Sequence, residues 1–322
     1  MLDQTSQSSV FTQTGEGHNG FLSFSTPSLL LCSGPFFFLL ALLVYMLVLL
    51  GNGVVTLSDP RLTSPMYFFL QNLSFVDLVY TTTTIPNMLA GFLMDQLTIS
   101  IPGCFLQMYF FTQLAVTGRA ILTVMAYDRY LAVCNPLRYT AIMTRSVRML
   151  LVTGAWSFGL LCTLPPRVLA FLRPYCGPNM VRHSWCDLSS VRTLACADTS
   201  IDNVLSLSFA MVALLTTGVL ILTSYFLIAT SMYQMGVPER LKAFSTCAAH
   251  LTVVSISVKF LINSSHSTES VRIIVSVLYS ALTPFLNPMI YSLRNKELRI
   301  AIRKTLASFR PAATSTVKAI ST

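Results

Sequence analysis

Seven long apolar runs dominate this sequence of 322 residues, and Pro, Gly or charged residues separate each run from the next. Most runs reach the roughly 20 residues that a helix needs to cross about 30 Å of hydrocarbon. They lie near residues 29–57, 66–94, 101–133, 149–172, 204–232, 243–262 and 271–293. The pattern predicts an all-α membrane protein, a bundle of seven transmembrane helices.

Composition agrees with this prediction and limits the partners. Hydrophobic residues make up 53% of the chain and charged residues only 10%, which is more apolar surface than one water-soluble core can bury. The net charge of +9 would suit nucleic acid, but the positive-inside rule predicts the same basic excess in a membrane protein. We therefore expect a lipid bilayer as partner and no nucleic acid.

Lysine and arginine divide the loops between two sides of the membrane. Basic residues cluster after the first, third, fifth and seventh runs, at Arg61, Arg138, Arg145, Arg148, Arg240, Lys242, Arg294, Lys296, Arg299, Arg303 and Lys304. The positive-inside rule makes those loops cytoplasmic, so the N-terminus is extracellular and the C-terminus cytoplasmic. The polar tail up to Pro27 carries Asp3 and Glu16 but no basic residue, and we predict that it is disordered and outside.

The long segment after the fourth run departs from this charge rule. It begins on the predicted outer side and still contains Arg167, Arg173, Arg182 and Arg192. The same side carries four cysteines, Cys104, Cys176, Cys186 and Cys196. Cysteines grouped on the oxidising side of a membrane are typical of disulfides, so we expect two bridges, with free thiols as the alternative.

The end of the chain carries a different pattern. Apolar residues at 298, 302, 306 and 309 recur at helical spacing beside basic residues, which predicts an amphipathic helix along the inner membrane surface. The predicted organisation is an extracellular tail over residues 1–28, a seven-transmembrane domain over 29–293, and a cytoplasmic amphipathic helix and tail over 294–322.

Three ionisable residues, Asp77, Arg119 and Lys259, lie at predicted membrane depth. Charges inside a membrane cost about 2.5–3.5 kcal/mol each on insertion scales, so they are functional candidates, with snorkelling as the alternative for the two cations. Asn52 and Asn287 are the natural companions of Asp77. The three form a polar network that holds either a weakly bound Na⁺ or no ion at all. No other metal site and no cofactor is predicted.

Two motifs contain candidates for residues that change their contacts or position between functional states. An Asp-Arg-Tyr triplet ends the third run, where Arg129 offers a planar fork of donors that can hold Asp128 in one state and release it in another. This makes the pair a candidate ionic lock, and the alternative is an ordinary charged helix end. Pro284 and Pro288 interrupt the seventh run and predict a kink beside Asn287, either a hinge or a static bend.

Together these motifs resemble the olfactory receptor family of rhodopsin-like G-protein-coupled receptors over roughly residues 51–309. The resemblance is carried by PMYFFLQNLSFVDL at 65–78, MAYDRYLAVCNPLRY at 125–139, Ser224-Tyr225, KAFSTCAAHL at 242–251 and PFLNPMIYSLRNKE at 284–297. The spaced loop cysteines are similar to those of the family's long second outer loop. The resemblance implies the pairings Cys104–Cys186 and Cys176–Cys196.

The resemblance also implies a two-state receptor, in which a ligand shifts the population toward the active arrangement. The ionic lock holds the resting state, the sixth helix swings outward, and two tyrosines stabilise the opening that receives a heterotrimeric G protein. The residues assigned to activation and coupling are Asp128, Arg129, Tyr130, Tyr225, Lys242, His250, Asn287, Pro288 and Tyr291. The implied location is the plasma membrane, in sensory cilia if the receptor serves olfaction.

By the same resemblance, an odorant pocket lies in the outer half of the bundle between the third, fifth, sixth and seventh helices. Its expected residues are Met108, Phe111, Thr112, Ala115, Val116, Phe209, Ala213 and Tyr279. They are mostly apolar, which suits a small volatile ligand held by burial. The implied function is odorant-activated signalling through a stimulatory, olfactory-type G protein and cAMP.

The chain departs from the family pattern at several positions. Between His250 and Pro284 it is shorter than usual, which leaves the sixth run only marginally able to span a membrane. Gly118 stands where the family usually has an acid facing Asp77, and this weakens any ion site. These departures make a poorly functional receptor of the same family one alternative.

Other functional classes fit the sequence less well. A transporter or channel would use Asp77, Arg119 and Lys259 along a path through the membrane, but no internal repeat is apparent. A retinal protein needs a Schiff-base lysine, and residues 273–293 contain none. We predict that the chain is not an enzyme, because no nucleophile, base and orienting group occur at recognisable spacing.

Overall fold

In a computed structural model of the chain, most of the first five apolar runs can be described, together with short parts of the last two. The residues described are 21–24, 34–57, 64–93, 97–176, 180–181, 185–233, 236–238, 240–241, 244, 247–248, 250–252, 282–288 and 290. The predicted amphipathic helix at 298–309 and most of the sixth run lie outside them.

The described part of the chain is mostly helical. Its elements in chain order are β1 (Phe21–Phe24), α1 (Gly34–Leu57), α2 (Pro65–Leu93), β2 (Leu97–Ser100), α3 (Ile101–Cys134), α4 (Tyr139–Ile142), α5 (Arg145–Phe171), β3 (Met180–Val181), α6 (Leu188–Arg192) and α7 (Ser200–Tyr233). Residues 282–288 are also helical.

Four of the described helices are long and apolar enough to cross a membrane. They are Phe38–Leu57 within α1, and the whole of α3, α5 and α7. α2 has 29 residues and coincides with the second apolar run, but its polar residues, among them Asp77 and four successive threonines, lower its hydropathy. The prediction of a helical membrane protein is confirmed at the level of these four spans.

α3 is the central helix and contacts α2, α5 and α7. Its start is fixed by Ser100, whose hydroxyl accepts a hydrogen bond from the amide of Gly103 at 3.3 Å. Its end is fixed by Asn135, which is followed by Pro136 and bonds back to the carbonyl of Leu131 at 3.0 Å. α3 therefore runs unbroken from a disulfide end, which contains Cys104, to an Arg129 end.

The core of the bundle lies between α2, α3 and α5. Apolar side chains such as Phe69, Ile121 and Met125 are fully buried there. Gly159 on α5 permits close approach, because a side chain at that position would collide with Thr117 and Gln113 of α3. Large apolar side chains on the outer faces of α1 and α7 remain exposed, as expected for helices that face lipid.

A small sheet covers the disulfide end. β1 lies in the middle, antiparallel to β2 and parallel to β3. Leu22 of β1 packs with Cys104, Met108 and Cys186 in a buried cluster. The prediction of a disordered N-terminal tail is therefore wrong for Phe21–Phe24, because pairing with β2 satisfies the backbone hydrogen bonds of this segment.

Candidate functional site

The Arg129 end contains a closed ion pair. A terminal nitrogen of Arg129 donates to Oδ2 of Asp128 at 2.6 Å, and the two side chains are 13% and 0% exposed, respectively. The hydroxyl of Tyr139 donates to the other carboxylate oxygen at 2.7 Å. Both oxygens of the buried carboxylate are thus satisfied, as a buried charge requires. We call these three residues the ionic lock.

Tyr139 reaches the lock because the chain reverses direction directly after α3. A turn over residues 135–138 leads into α4, and Thr144 caps the start of α5 by accepting from the amide of Val147 at 3.4 Å. Burial, with the neighbouring charge of Asp128, raises the pKa of Tyr139 well above its usual range. The phenol therefore remains a hydrogen-bond donor at physiological pH.

A second contact joins three segments near the lock. Nε2 of His250 lies 2.9 Å from the carbonyl oxygen of Leu122 on α3, and Nδ1 lies 2.6 Å from the hydroxyl of Tyr225 on α7. A carbonyl only accepts, so Nε2 carries the proton and Tyr225 donates to Nδ1. The predicted residues Tyr225 and His250 are therefore brought together, and both are tied to α3.

The predicted polar network is only partly assembled. Asn287 donates to Oδ2 of Asp77 at 2.7 Å, whereas Asn52 donates to the carbonyls of Pro284 and Val48 at 2.8 and 3.1 Å. The amide oxygens of Asn52 and Asn287 are buried without a hydrogen-bond partner. Asp77 and Asn287 line a cavity of about 60 Å³, the Asp77 cavity, which also touches Gly118 and Arg119.

Other predicted activation residues lie around these contacts. Pro288 is buried, and a Cβ added to Gly51 would lie 3.0 Å from its ring, so α1 and residues 282–288 approach closely there. Tyr130 is half-buried beside the main core. The remaining two, Lys242 and Tyr291, lie outside the described residues, as do Tyr279 of the predicted pocket and the intramembrane Lys259.

Two disulfides hold the opposite end. Cys104 is bonded to Cys186 and Cys176 to Cys196, with Cα atoms 5.4 and 5.3 Å apart. Both pairs are those implied by the resemblance. Gln107 supports the first bridge, because its side chain accepts from the amide of Cys186 at 3.1 Å and donates to the carbonyl of Thr83 at 2.7 Å. The loop is thereby fixed over the ends of α2 and α3.

A cavity of about 540 Å³ lies next to this loop, between α3, α5, α6 and α7. We call it the large cavity. Four predicted ligand residues line it, Thr112, Val116, Phe209 and Ala213. Three others lie elsewhere: Met108 is in the cluster under the sheet, Phe111 packs between Tyr80 and Trp185, and Ala115 lines the Asp77 cavity.

The large cavity is more polar than the sequence prediction of a mostly apolar pocket. Arg119, Arg167, Arg192 and Asp187 also line it. Arg167 donates to the hydroxyl of Thr112 at 2.8 Å, and Arg192 is held by Asn203 and Ser206 of α7. Burial lowers the pKa of Arg192, although an arginine remains charged at neutral pH. The sequence did not predict that these four residues line the pocket.

Comparison with known proteins identifies the family. A family profile described as "Olfactory receptor" matches residues 41–308. The chain is 40% identical to human olfactory receptor 13C2 over 84% of its own length and 90% of that protein's. It is 45% identical to mouse olfactory receptor 5G25, and the match covers 83% of this chain and 87% of that relative. It is 44% identical to human olfactory receptor 6N1, and this match covers 84% of the chain and 90% of the relative.

The chain belongs to the olfactory receptor family. This olfactory receptor is a G-protein-coupled odorant receptor and not an enzyme. Its apolar helices agree with a multi-pass protein of the plasma membrane. The family assignment predicted from the sequence is confirmed. Within the described residues, the ionic lock and the large cavity are the two candidate functional sites.

Proposed function

We propose that the chain is a seven-transmembrane receptor whose disulfide end is extracellular and whose Arg129 end is cytoplasmic. In this arrangement residues 1–28 form the outer tail, 29–293 the receptor domain and 294–322 the inner amphipathic helix and tail. The odorant binds in the outer half of the bundle. The receptor then activates a stimulatory, olfactory-type G protein and raises cAMP.

The observation that carries this proposal is the position of α3. Its residues Thr112, Val116 and Arg119 recur at spacings of four and three residues and line the large cavity, while Arg129 near its other end is part of the lock. Seventeen residues separate Thr112 from Arg129, which at 1.5 Å per residue is about 26 Å along the helix. One rigid helix thus joins the ligand site to the proposed coupling site.

The proposed mechanism uses two states of the Arg129 end. In the resting state the carboxylate of Asp128 holds Arg129, as in the structure. A ligand that binds the active arrangement better shifts the population toward it, and the guanidinium then becomes available to the G protein. Tyr225, which bonds to His250 in the closed arrangement, and Tyr291 would support the opened inner end, and Lys242 would lie at its rim.

The Asp77 cavity is proposed as a polar connection between these sites. It touches α2, α3 and residues 283–287, so a movement of the seventh run at the kink predicted beside Pro284 and Pro288 would alter the contact between Asp77 and Asn287. The unpartnered amide oxygen of Asn287 leaves room for water or a weakly bound Na⁺. Without an acid at Gly118, a structural hydrogen-bond network remains the alternative to an ion site.

A cavity-filling variant tests the location of the ligand. The receptor is expressed with a stimulatory G protein and screened against volatile compounds, with cAMP and surface staining as readouts. Ala213→Trp should abolish the response because Ala213 is 5% exposed and lines the large cavity. Val212→Trp is the matched control, since Val212 is 53% exposed and its bulkier side chain can extend into lipid.

The expected result is a response that Val212→Trp retains and Ala213→Trp loses at equal surface display. Equal responses in both variants would contradict a ligand in this cavity. Uptake of the screened compounds is measured in the same cells, because accumulation of a compound without a rise in cAMP would favour a transporter.

A further inference from the structure

The described lining of the large cavity contains more positively than negatively charged side chains. Among the described residues that line it, three are arginines and one is an acid, Asp187. The count of three positive charges and one negative charge leaves an excess of two. A pocket for a neutral apolar volatile needs no such excess, and cations buried without partners are costly.

Arg167 is one of these cations and has no carboxylate as a direct partner among the described residues. It is half-buried, one terminal nitrogen donates to the neutral hydroxyl of Thr112, and its Nε is buried without a hydrogen-bond partner. Within the described ranges, no carboxylate lies at ion-pair distance from it. The contrast with Arg173 is direct, since that nearby arginine donates two hydrogen bonds of 2.8 Å to the carboxylate of Asp202.

Arg192 faces the same cavity from the loop. Its two terminal nitrogens are oriented by Asn203 and Ser206, both neutral, and its Nε also has no hydrogen-bond partner. Asp187, the one acid of the lining, already accepts from the amide and the hydroxyl of Ser189 at the start of α6. The loop therefore supplies a second positioned cation, and neither this arginine nor Arg167 is hydrogen-bonded to the carboxylate of Asp187.

The rest of the lining sets the chemical class of the ligand. Val116, Ala213 and Phe209 give the cavity an apolar part, and its volume of about 540 Å³ is in the range of sites for small molecules. A planar anion with an apolar tail would satisfy both parts. A carboxylate suits a guanidinium because two parallel hydrogen bonds can form.

We infer that this receptor recognises small organic carboxylates, with the acid group on Arg167 and Arg192 and the apolar tail against Val116, Ala213 and Phe209. The inference rests on the proposed function, because it names the ligand class of the same cavity. It replaces the sequence expectation of a ligand held by burial alone.

The test measures binding separately from signalling. Purified receptor in phosphatidylcholine nanodiscs, which contain no carboxylate lipid, is titrated with octanoate, octan-1-ol and methyl octanoate, and cAMP responses to the same compounds are recorded in cells. Wild type should bind octanoate roughly tenfold to a hundredfold more tightly than the alcohol or the ester, the range expected for hydrogen bonds to a charged group.

Arg167→Gln should remove the preference for octanoate, whereas the affinity for octan-1-ol should stay the same. Arg145→Gln is the matched control, because it makes the same substitution in an exposed residue at the other end of α5. If Arg167→Gln does not reach the surface, the ligand series on wild type and the Arg192→Gln variant decide the question.

Two outcomes separate the inference from the proposed function. Binding of octanoate no tighter than octan-1-ol, or unaffected by both substitutions, would overturn the inference, and a cAMP response to neutral volatiles would leave the proposed function standing. Tight octanoate binding that depends on Arg167 but never raises cAMP would sustain the inference and contradict the proposed function.

Discussion

The two ends of α3 differ in how their charged side chains are paired. At the Arg129 end, the carboxylate of Asp128 is completely buried and both of its oxygens accept hydrogen bonds, one from Arg129 and one from Tyr139. At the disulfide end, arginines outnumber acids in the large cavity. The charges of the first end are paired within the chain, whereas the second end contains arginines without a carboxylate partner, as the proposed ligand site requires.

The largest expected effect follows from breaking the closed end. Asp128→Ala would leave the guanidinium of Arg129 buried without its partner, which costs about 3–5 kcal/mol. We expect a clear fall in the melting temperature of the purified receptor and a rise in basal cAMP. Asp187→Ala at the cavity removes a helix cap and should cost only about 1 kcal/mol. An equal fall in melting temperature in the two variants would contradict the difference between the two ends.

A smaller loss of stability is expected when the lock keeps the Asp128–Arg129 ion pair but loses the hydroxyl of Tyr139. Tyr139→Phe removes the hydrogen bond to the carboxylate of Asp128, and hydrogen bonds to charged groups contribute about 1.5–3 kcal/mol. Thermal denaturation should detect this loss, and Tyr127→Phe, at an exposed position of α3 next to Asp128, provides the control. A variant as stable as wild type would show that Tyr139 is not part of the lock.

The Asp77 cavity lies between the two ends and can be altered by adding charge. A Cβ at Gly118 would meet Val76 and Leu73 at 3.6 and 3.8 Å, an ordinary contact, and Gly118 lines the Asp77 cavity, which offers space for the carboxylate of Gly118→Asp. We expect Na⁺ to raise the melting temperature of this variant by about 2–4 °C relative to K⁺, because a second carboxylate would complete a cation site. Gly118→Asn is the uncharged control, and an identical response to both salts would exclude Na⁺ binding here.

The smallest expected effect is at the contact between α7 and His250. Tyr225→Phe removes one hydrogen bond to Nδ1 of the histidine, which is worth about 0.5–1.5 kcal/mol. Tyr233→Phe, at an exposed position near the end of α7, serves as control in the same melting experiment. A maximal cAMP response that also falls only in Tyr225→Phe would link this contact to activation rather than to stability alone.

Local signals in the sequence predicted the long helices well. The third apolar run was expected over residues 101–133, and α3 covers Ile101–Cys134, because Ser100 and the Asn135-Pro136 pair mark its limits. β1 could not be predicted in the same way. Its four residues pair with Leu97–Ser100, which lies more than 70 residues further along the chain, and local spacing does not contain this contact.

The lining of the large cavity could not be predicted either, because residues that are far apart in the sequence form it. Thr112, Arg167 and Arg192 come from α3, α5 and α6, and only the folded chain brings them to one cavity. One signal was present: Arg167 and Arg192 are basic residues on the predicted outer side, against the positive-inside rule. An exception to that rule is a reason to look for a specific partner.

The most direct test of the proposed release of Arg129 is the agonist response of Arg129→Ala. The variant is compared with wild type at matched surface display, with ligand binding measured in nanodiscs and cAMP measured in cells. We predict unchanged agonist binding at the disulfide end together with complete loss of the cAMP rise, because the group released toward the G protein is missing. A cAMP response equal to that of wild type would contradict the account.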